Sequence, residues 1–312
     1  MAIRATKNIK NVLAAFDREE RIMLYHGDCG ALLSELPSNS IDLIITSPPY
    51  CIGKEYEKFT NVTEFRRIHE SIIPDVVRVV KPGGSICWQV GYHVKKQIVY
   101  PLDYIVFAAM GAQQGIYLRN RIVWTYGHGL HTSSRFSGRH EVVLWFTKGN
   151  KYYFDLDPVR VPQKYPGKKH YKGPKKGDWS SNPLGKNPSD VWDIPNVKAQ
   201  HVEKEAHPCQ YPIALAQRLI RALTPQDGVV FDPFAGTGSS GAAAVIEGRR
   251  YLAAELVAKY VGVMQKRLVK ARNNTLKFRP VDRPIHRPSP NEKIAHRPSH
   301  FVTSGETYGD QG

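Results

Sequence analysis

Apolar positions recur along the chain in two rhythms. Short apolar runs read as strands: "RIMLYHG" (21–27), "IDLIIT" (41–46) as a buried one, and "SICWQVG" (85–91). Between them lie stretches with helical spacing: "GALLSEL" (30–36), the segment from Val62 to Val80 that stops at "KPGG", and residues 95–110. "NRIVWTYG" and "HEVVLWFTKG" read as two further strands. Later come a helix in "PIALAQRLIRAL", a strand in "GVVFDPF", a helix start in "GSSGAAAVIEG", a strand in "RRYLAAEL" and a helix over 257–272. Strands alternating with helices imply crossover units, hence an α/β fold with a mainly parallel sheet.

Three stretches break the rhythm. Residues 1–20 are polar and weakly patterned and read as an N-terminal arm. From 150 to 206 Pro, Gly, Lys, Asn and Ser dominate, with isolated tryptophans, and a loop-rich segment of that length is rarely idle. From 273 the chain repeats Arg-Pro at 279–280, 283–284, 287–288 and 297–298, an extended tail with no core of its own. The expected organisation is therefore an arm (1–20), a first half-domain (21–149), an insert (150–206), a second half-domain (207–272) and a tail (273–312).

The 312 residues allow one large domain or two modest ones, and 41% apolar residues suffice for a core. A formal net charge of +16 points to a polyanionic partner, most often nucleic acid. The charge is clustered. Lys164, Lys168, Lys169, Lys172, Lys175 and Lys176 fall in "KYPGKKHYKGPKKG", among Tyr165, His170 and Tyr171. Gly and Pro exclude a helix there and leave a basic loop able to follow a phosphate backbone. No N-terminal apolar run suggests a signal peptide or a membrane span. Cys29, Cys51, Cys87 and Cys209 are scattered without a C-x-x-C pair, which fits reduced thiols in a cytoplasm. His128, His131 and His140 lack ligand spacing, so no metal is expected.

Two stretches carry chemistry. "VVFDPFAGTGSSG" (229–241) is a strand, a Gly-bearing turn and a helix start. Gly236 and Gly238 let the backbone turn sharply and approach a ligand. Alone, such a turn equally suits an ordinary strand–helix connection. The next strand ends at Glu255, and an acidic residue there commonly holds ribose hydroxyls. The combination points to a ribose-bearing cofactor. No G-K-[ST] phosphate loop is present, which argues against ATP hydrolysis. In "TSPPY", Pro48 and Pro49 have no N–H, so carbonyls stand without a competing donor beside them. Ser47 adds a hydroxyl acceptor and Tyr50 a flat face. Two acceptors and a stacking plane suit an exocyclic amino group on a planar base. A rigid strand-to-loop turn would use the same residues.

S-P-P-Y after an apolar strand, with D-P-F-x-G-x-G far downstream, resembles the amino-group DNA methyltransferases that use S-adenosylmethionine. The order, S-P-P-Y first and the glycine motif last, is that of the β class. The resemblance spans roughly 21–272 and includes "VVKPGGSI", "HEVVLWFTKG" and "HPCQYPIALAQRLI". One departure is Tyr211, which stands where a lysine is usual.

The resemblance implies a Rossmann-like methyltransferase fold with a loop-rich DNA-recognition insert. It implies that Phe234, Gly236 and Gly238 line the methionine part of the cofactor, that Asp232 supports their loop, that Glu255 takes the ribose hydroxyls, and that Asp28 bonds near the adenine. Ser47, Pro48, Pro49 and Tyr50 would form the catalytic pocket for a flipped-out base. No cysteine nucleophile is then needed, so Cys29 and Cys51 read as packing residues. S-P-P-Y is the form associated with N4-cytosine. The wider pattern, including "WTYGHGLHTSSRFSGRHE" and "NPLGKNPSDVW", resembles enzymes described as adenine-specific, and the balance falls to N6-adenine. An RNA methyltransferase and a non-catalytic DNA-binding protein are the other readings. Double-stranded DNA and a second copy of the chain are the expected partners, the latter because a two-fold dimer is the commonest assembly.

Overall fold

The computed structural model describes residues 3–50, 61–127, 129, 131–285, 289 and 291–292. Its first half contains β1 (Ala5–Thr6), α1 (Ile9–Asp17), β2 (Ile22–His26), α2 (Cys29–Glu35), β3 (Ile41–Thr46), α3 (Val62–Val79) and β4 (Val80–Val90). A hairpin of β5 (Tyr92–Lys95) and β6 (Ile98–Pro101) follows, then α4 (Leu102–Gly111), β7 (Ile116–Thr125) and β8 (His140–Lys148). The second half contains β9 (Val191–Asp193), α5 (Ile213–Leu223), β10 (Val229–Asp232), α6 (Ser239–Ile246), β11 (Arg250–Glu255) and α7 (Ala258–Arg272).

Nine strands form one sheet in the order β1-β2-β11-β10-β3-β4-β8-β7-β9. Only β8 runs against its neighbours, β4 and β7, and every other pairing is parallel. Parallel strands are covered on both faces, and these are. In β3, Ile44 packs into one core and its neighbour Ile45 into the other. The first core is closed by α2, α3 and α4 through residues such as Leu33, Phe65, Val76 and Val106. The second is closed by α5, α6 and α7 through Leu219, Ala243, Met264 and Leu268. Helix α3 shows why the spacing holds. Phe65, His69, Ile72, Ile73, Val76 and Val79 fall on its buried face, and Asn61 caps its first turn by accepting from the Glu64 amide at 2.8 Å. Each apolar side chain buried this way contributes on the order of 1.5–3 kcal/mol.

Two expectations are corrected. Residues 1–20 are not an arm: β1 pairs with β2, and α1 packs Ile9, Val12, Leu13 and Phe16 against the sheet. Those four positions have helical spacing that the surrounding charges hide. Residues 95–110 are not one helix. Lys96 and Gln97 adopt positive φ and turn the β5–β6 hairpin, and the helix begins only after Pro101, which lacks the N–H a continuing helix would use.

The insert of 150–206 is irregular but tied down. Short bridges pair Val161 with Lys186 and Lys169 with Trp179, and β9 joins the sheet edge beside β7 with Trp192 buried. Residues Met1–Asp282, insert included, form one compact unit. Arg283–Gly312 form a second, in which the Ser289 amide donates to the Glu292 carboxylate at 3.0 Å. Among the described residues no helix is long and apolar enough to cross a membrane.

Candidate active site

Strands β3 and β10 come from different halves of the sequence and lie side by side in the middle of the sheet, Leu43 paired with Val230 and Ile44 with Phe231. In an open parallel sheet the crevice beyond the strands' carboxyl ends, where the strand order reverses, is where ligands bind. A cleft of about 940 Å³ including its mouth lies there. The segments 47–50 after β3, 233–237 after β10 and 255–257 at the end of β11 line it, together with Gly27, Asp28 and Cys29. "TSPPY" and the glycine turn, 182 positions apart from Tyr50 to Asp232, thus line one cleft.

The glycine turn is held from beneath by Asp232, which is fully buried. Its carboxylate accepts from the Thr46 hydroxyl at 2.6 Å, the Phe234 amide at 3.1 Å, the Tyr211 hydroxyl at 3.3 Å and the Ser240 hydroxyl. Burial still dominates and raises its pKa to about 6. Gly236 takes φ +52°, and a Cβ there would stand 3.4 Å from His207 Nε2, so the bare backbone makes a cradle on the cleft wall. Gly238 does not line the cleft. It caps α6 with φ +76°, and a Cβ would meet Met264 at 2.6 Å. Its absence of a side chain serves packing and turn geometry. Arg267, buried in α7, donates to the Thr237 carbonyl at 2.7 Å and fixes the turn from behind.

Glu255 lines the cleft and already binds two amides: Oε2 accepts from Gly236 at 2.7 Å and Oε1 from Val257 at 2.8 Å. A carboxylate has about four acceptor sites, so capacity remains for hydroxyls. Asp28 caps α2, its Oδ1 accepting from Gly30 at 2.9 Å and Ala31 at 3.2 Å, and also faces the cleft. Phe234 meets Trp88 edge-on at 6.3 Å between ring centres, and the Trp88 indole donates to His69 Nε2 at 3.1 Å. Burial lowers the His69 pKa to about 4, which keeps that imidazole a neutral acceptor.

Tyr50 is fixed by a group that the sequence did not announce. Its hydroxyl donates to Glu141 Oε2 at 3.1 Å, and Ser47 Oγ lies 3.3 Å from the same hydroxyl. Glu141 sits in "HEVVLWFTKG", legible only as a strand, and a carboxylate opening an apolar run is the signal that marks it. Cys209 and His207 of "HPCQ" also line the cleft, as does Tyr211. Burial drives the Cys29 thiol up to about 12, in keeping with a packing role. Cys51 and His128 lie outside the described residues. Among the described residues no three His, Cys, Asp or Glu side chains cluster as a metal ion would need.

Lys164, Lys168, Lys169, Lys172, Lys175 and Lys176 are all exposed on the insert, none on the cleft wall. Three of them lie over aromatic rings, Lys169 over Trp179 at 4.9 Å, Lys164 over Tyr165 at 5.4 Å and Lys172 over Tyr171 at 5.9 Å. Those rings are exposed, Tyr171 by 82%.

Residues 41–266 match the family model described as DNA methylase, of the N6 and N4 amino type. The chain is 44% identical to the type II methyltransferase M.BglII of Bacillus subtilis over 81% of its length and 70% of the relative's. It is 40% identical to the type II methyltransferase M.ScaI of Streptomyces caespitosus, over 79% and 81%. In structure it is similar to a DNA modification methylase of Thermus thermophilus solved with S-adenosyl-L-methionine, with a TM-score of 0.55 at 25% identity over 79% and 94%. The chain belongs to this DNA methylase family, and its fold is the Rossmann-like one expected.

Proposed function

We propose that the chain methylates the exocyclic amino group of a base at a particular sequence in duplex DNA, with S-adenosylmethionine as donor. The observation that carries this is the shared cleft: Ser47 and Tyr50 on one wall, the Gly236 cradle and Glu255 on the other. The donor supplies a methyl group on a positively charged sulfur. The residues present fit it. The bare backbone at Gly236 and the ring of Phe234 suit the methionine part, Glu255 has acceptor capacity for ribose hydroxyls, and Asp28, also on the cleft, suits the adenine. Asp232 and Gly238 act through the shape of the loop.

A base inside a duplex cannot reach this cleft, so it is extruded at a cost of a few kcal/mol. Tyr50 then stacks on it. Ser47 and the Pro48 carbonyl accept hydrogen bonds from the amino group, which turns the nitrogen's lone pair toward the methyl. Pro49 stiffens the segment. Positioning and fixed dipoles provide the acceleration. Lys164, Lys168, Lys169, Lys172, Lys175 and Lys176 grip phosphates from the insert, with Tyr165, Tyr171 and Trp179 beside them.

N6 of adenine is the main reading, supported by the wider sequence pattern, and N4 of cytosine is the second, supported by the S-P-P-Y form of the segment. Genomic DNA methylated by the protein, digested and analysed for N4-methylcytosine and N6-methyladenine, decides between them. Neither product on DNA, with product on RNA, would overturn the DNA reading.

The chain acts as a homodimer in the cytoplasm, alongside an endonuclease of the same specificity. Val94, Ile98, Val99, Tyr104 and Phe107, exposed on the β5–β6 hairpin and α4, support the first part, and the type II names of the relatives support the last.

A further inference from the structure

Glu141, the second residue of β8, sits where three other segments meet. Its carboxylate accepts from the Tyr50 hydroxyl at 3.1 Å, from the Tyr126 hydroxyl at 3.4 Å, and from the side-chain amide of Gln89 near the end of β4. On the far side of that tyrosine hydroxyl lies Ser47 Oγ, at 3.3 Å. Gly91 leaves room for the arrangement: a Cβ there would stand 3.2 Å from the Tyr50 ring and 3.5 Å from Glu141 Cγ.

The direction of these bonds follows from counting protons. A tyrosine hydroxyl carries one, and an ionised carboxylate carries none. The Tyr50 proton is therefore committed to Glu141. The contact between Ser47 and Tyr50 is then filled by the Ser47 proton. Both lone pairs of Ser47 stay open toward the cleft. Burial raises the pKa of Glu141, and the hydrogen bonds from Tyr50, Gln89 and Tyr126 act against that rise.

We propose that Glu141 is a positioning residue for methyl transfer: it sets the direction of the chain Ser47→Tyr50→Glu141, so that Ser47 meets the base as an acceptor and the Tyr50 ring is held as its platform. The proposal rests on the base-pocket reading of Ser47 and Tyr50. A serine, unlike an aspartate, can present either a proton or a lone pair, so a group outside the S-P-P-Y segment has to decide which. Glu141 is the described carboxylate bonded to that segment.

The test is single-turnover methyl transfer onto genomic DNA from a methylation-free host, with S-adenosylmethionine binding by calorimetry and the melting temperature measured alongside. Glu141→Leu should slow transfer on the order of 100-fold, as loss of one preorganised dipole does, with donor binding unchanged. Glu141→Gln should recover most of that loss, because its amide oxygen accepts the same bond. Tyr50→Phe should match Glu141→Leu, and the double variant should be no slower than either, since both break one chain. Glu141→Gln as slow as Glu141→Leu would overturn the proposal and make Glu141 a proton acceptor instead. Wild-type rates in Tyr50→Phe with an inactive Tyr50→Ala would also overturn it and leave the platform standing. A wild-type rate in Tyr50→Ala would remove the base-pocket reading itself. Should Glu141→Leu not fold, Tyr50→Phe and Glu141→Gln carry the comparison.

Discussion

Thr46 donates a 2.6 Å hydrogen bond to Asp232, joining the last residue of β3 to the last residue of β10 across 186 positions of sequence. One bond thus ties the segment before Ser47 to the segment before the glycine turn. Thr46→Val keeps the shape and removes the donor. It should cost about 1.5–3 kcal/mol of stability, the range for a hydrogen bond to a charged group. Chemical denaturation measures the first effect. Calorimetry should also find weaker S-adenosylmethionine binding, and unchanged values in both would detach Asp232 from the site.

Asp232 makes the site sensitive to acid. Its pKa in the fold is raised to about 6, above an unfolded value near 3.9. The folded state therefore binds this proton more tightly. The stability it contributes is full below the unfolded pKa and is lost as pH rises through about 6. Binding runs the other way. Only the ionised form accepts from Thr46, Phe234, Tyr211 and Ser240 together, so donor affinity should fall as pH drops below 6. Asp232→Asn should remove that step from the calorimetric profile, which separates it from the nearby Glu255.

The two walls of the cleft should separate in mutants. Tyr50→Ala and Ser47→Ala should leave S-adenosylmethionine binding intact and slow transfer about 100-fold or more. Glu255→Ala strands the Gly236 and Val257 amides, and Gly236→Val places a branched side chain at φ +52°. Both should weaken donor binding at least about tenfold, the equivalent of 1.4 kcal/mol. Normal binding by both would place the donor elsewhere.

The lysines of the insert should act through salt. Replacing Lys168, Lys169, Lys175 and Lys176 with alanine should weaken binding to all DNA sequences alike. The slope of log affinity against log salt should flatten by about 0.9 for each phosphate no longer neutralised. A changed target sequence with the same slope would make them base readers.

Light scattering at micromolar concentration should give twice the monomer mass, with and without DNA. Monomer mass in both conditions refutes the dimer. The tail's share is tested by ending the chain after Asp282, which keeps the bond from the Arg279 amide to Glu203.

Periodicity alone determined most of the fold. β3, α3, β8, α5, β10, α6, β11 and α7 are read directly from apolar runs and helical spacing, because each buries a face that only one period can build. The local chemistry of "TSPPY" and "DPFAGTG" was equally legible, since missing N–H groups and left-handed glycines are properties of the residues themselves. What failed locally did so for local reasons. Helix α1 hides four apolar positions among charges, and the β5–β6 hairpin turns on Lys96 and Gln97, residues that carry no turn signal. Only the tertiary structure decided which residues meet. Sheet order sets β10 against β3, places Gly238 on Met264 rather than on the cleft, and brings Glu141 to a tyrosine 91 positions away. Hydrogen bonds and packing act over a few ångströms of space, and distance along the chain does not encode that proximity.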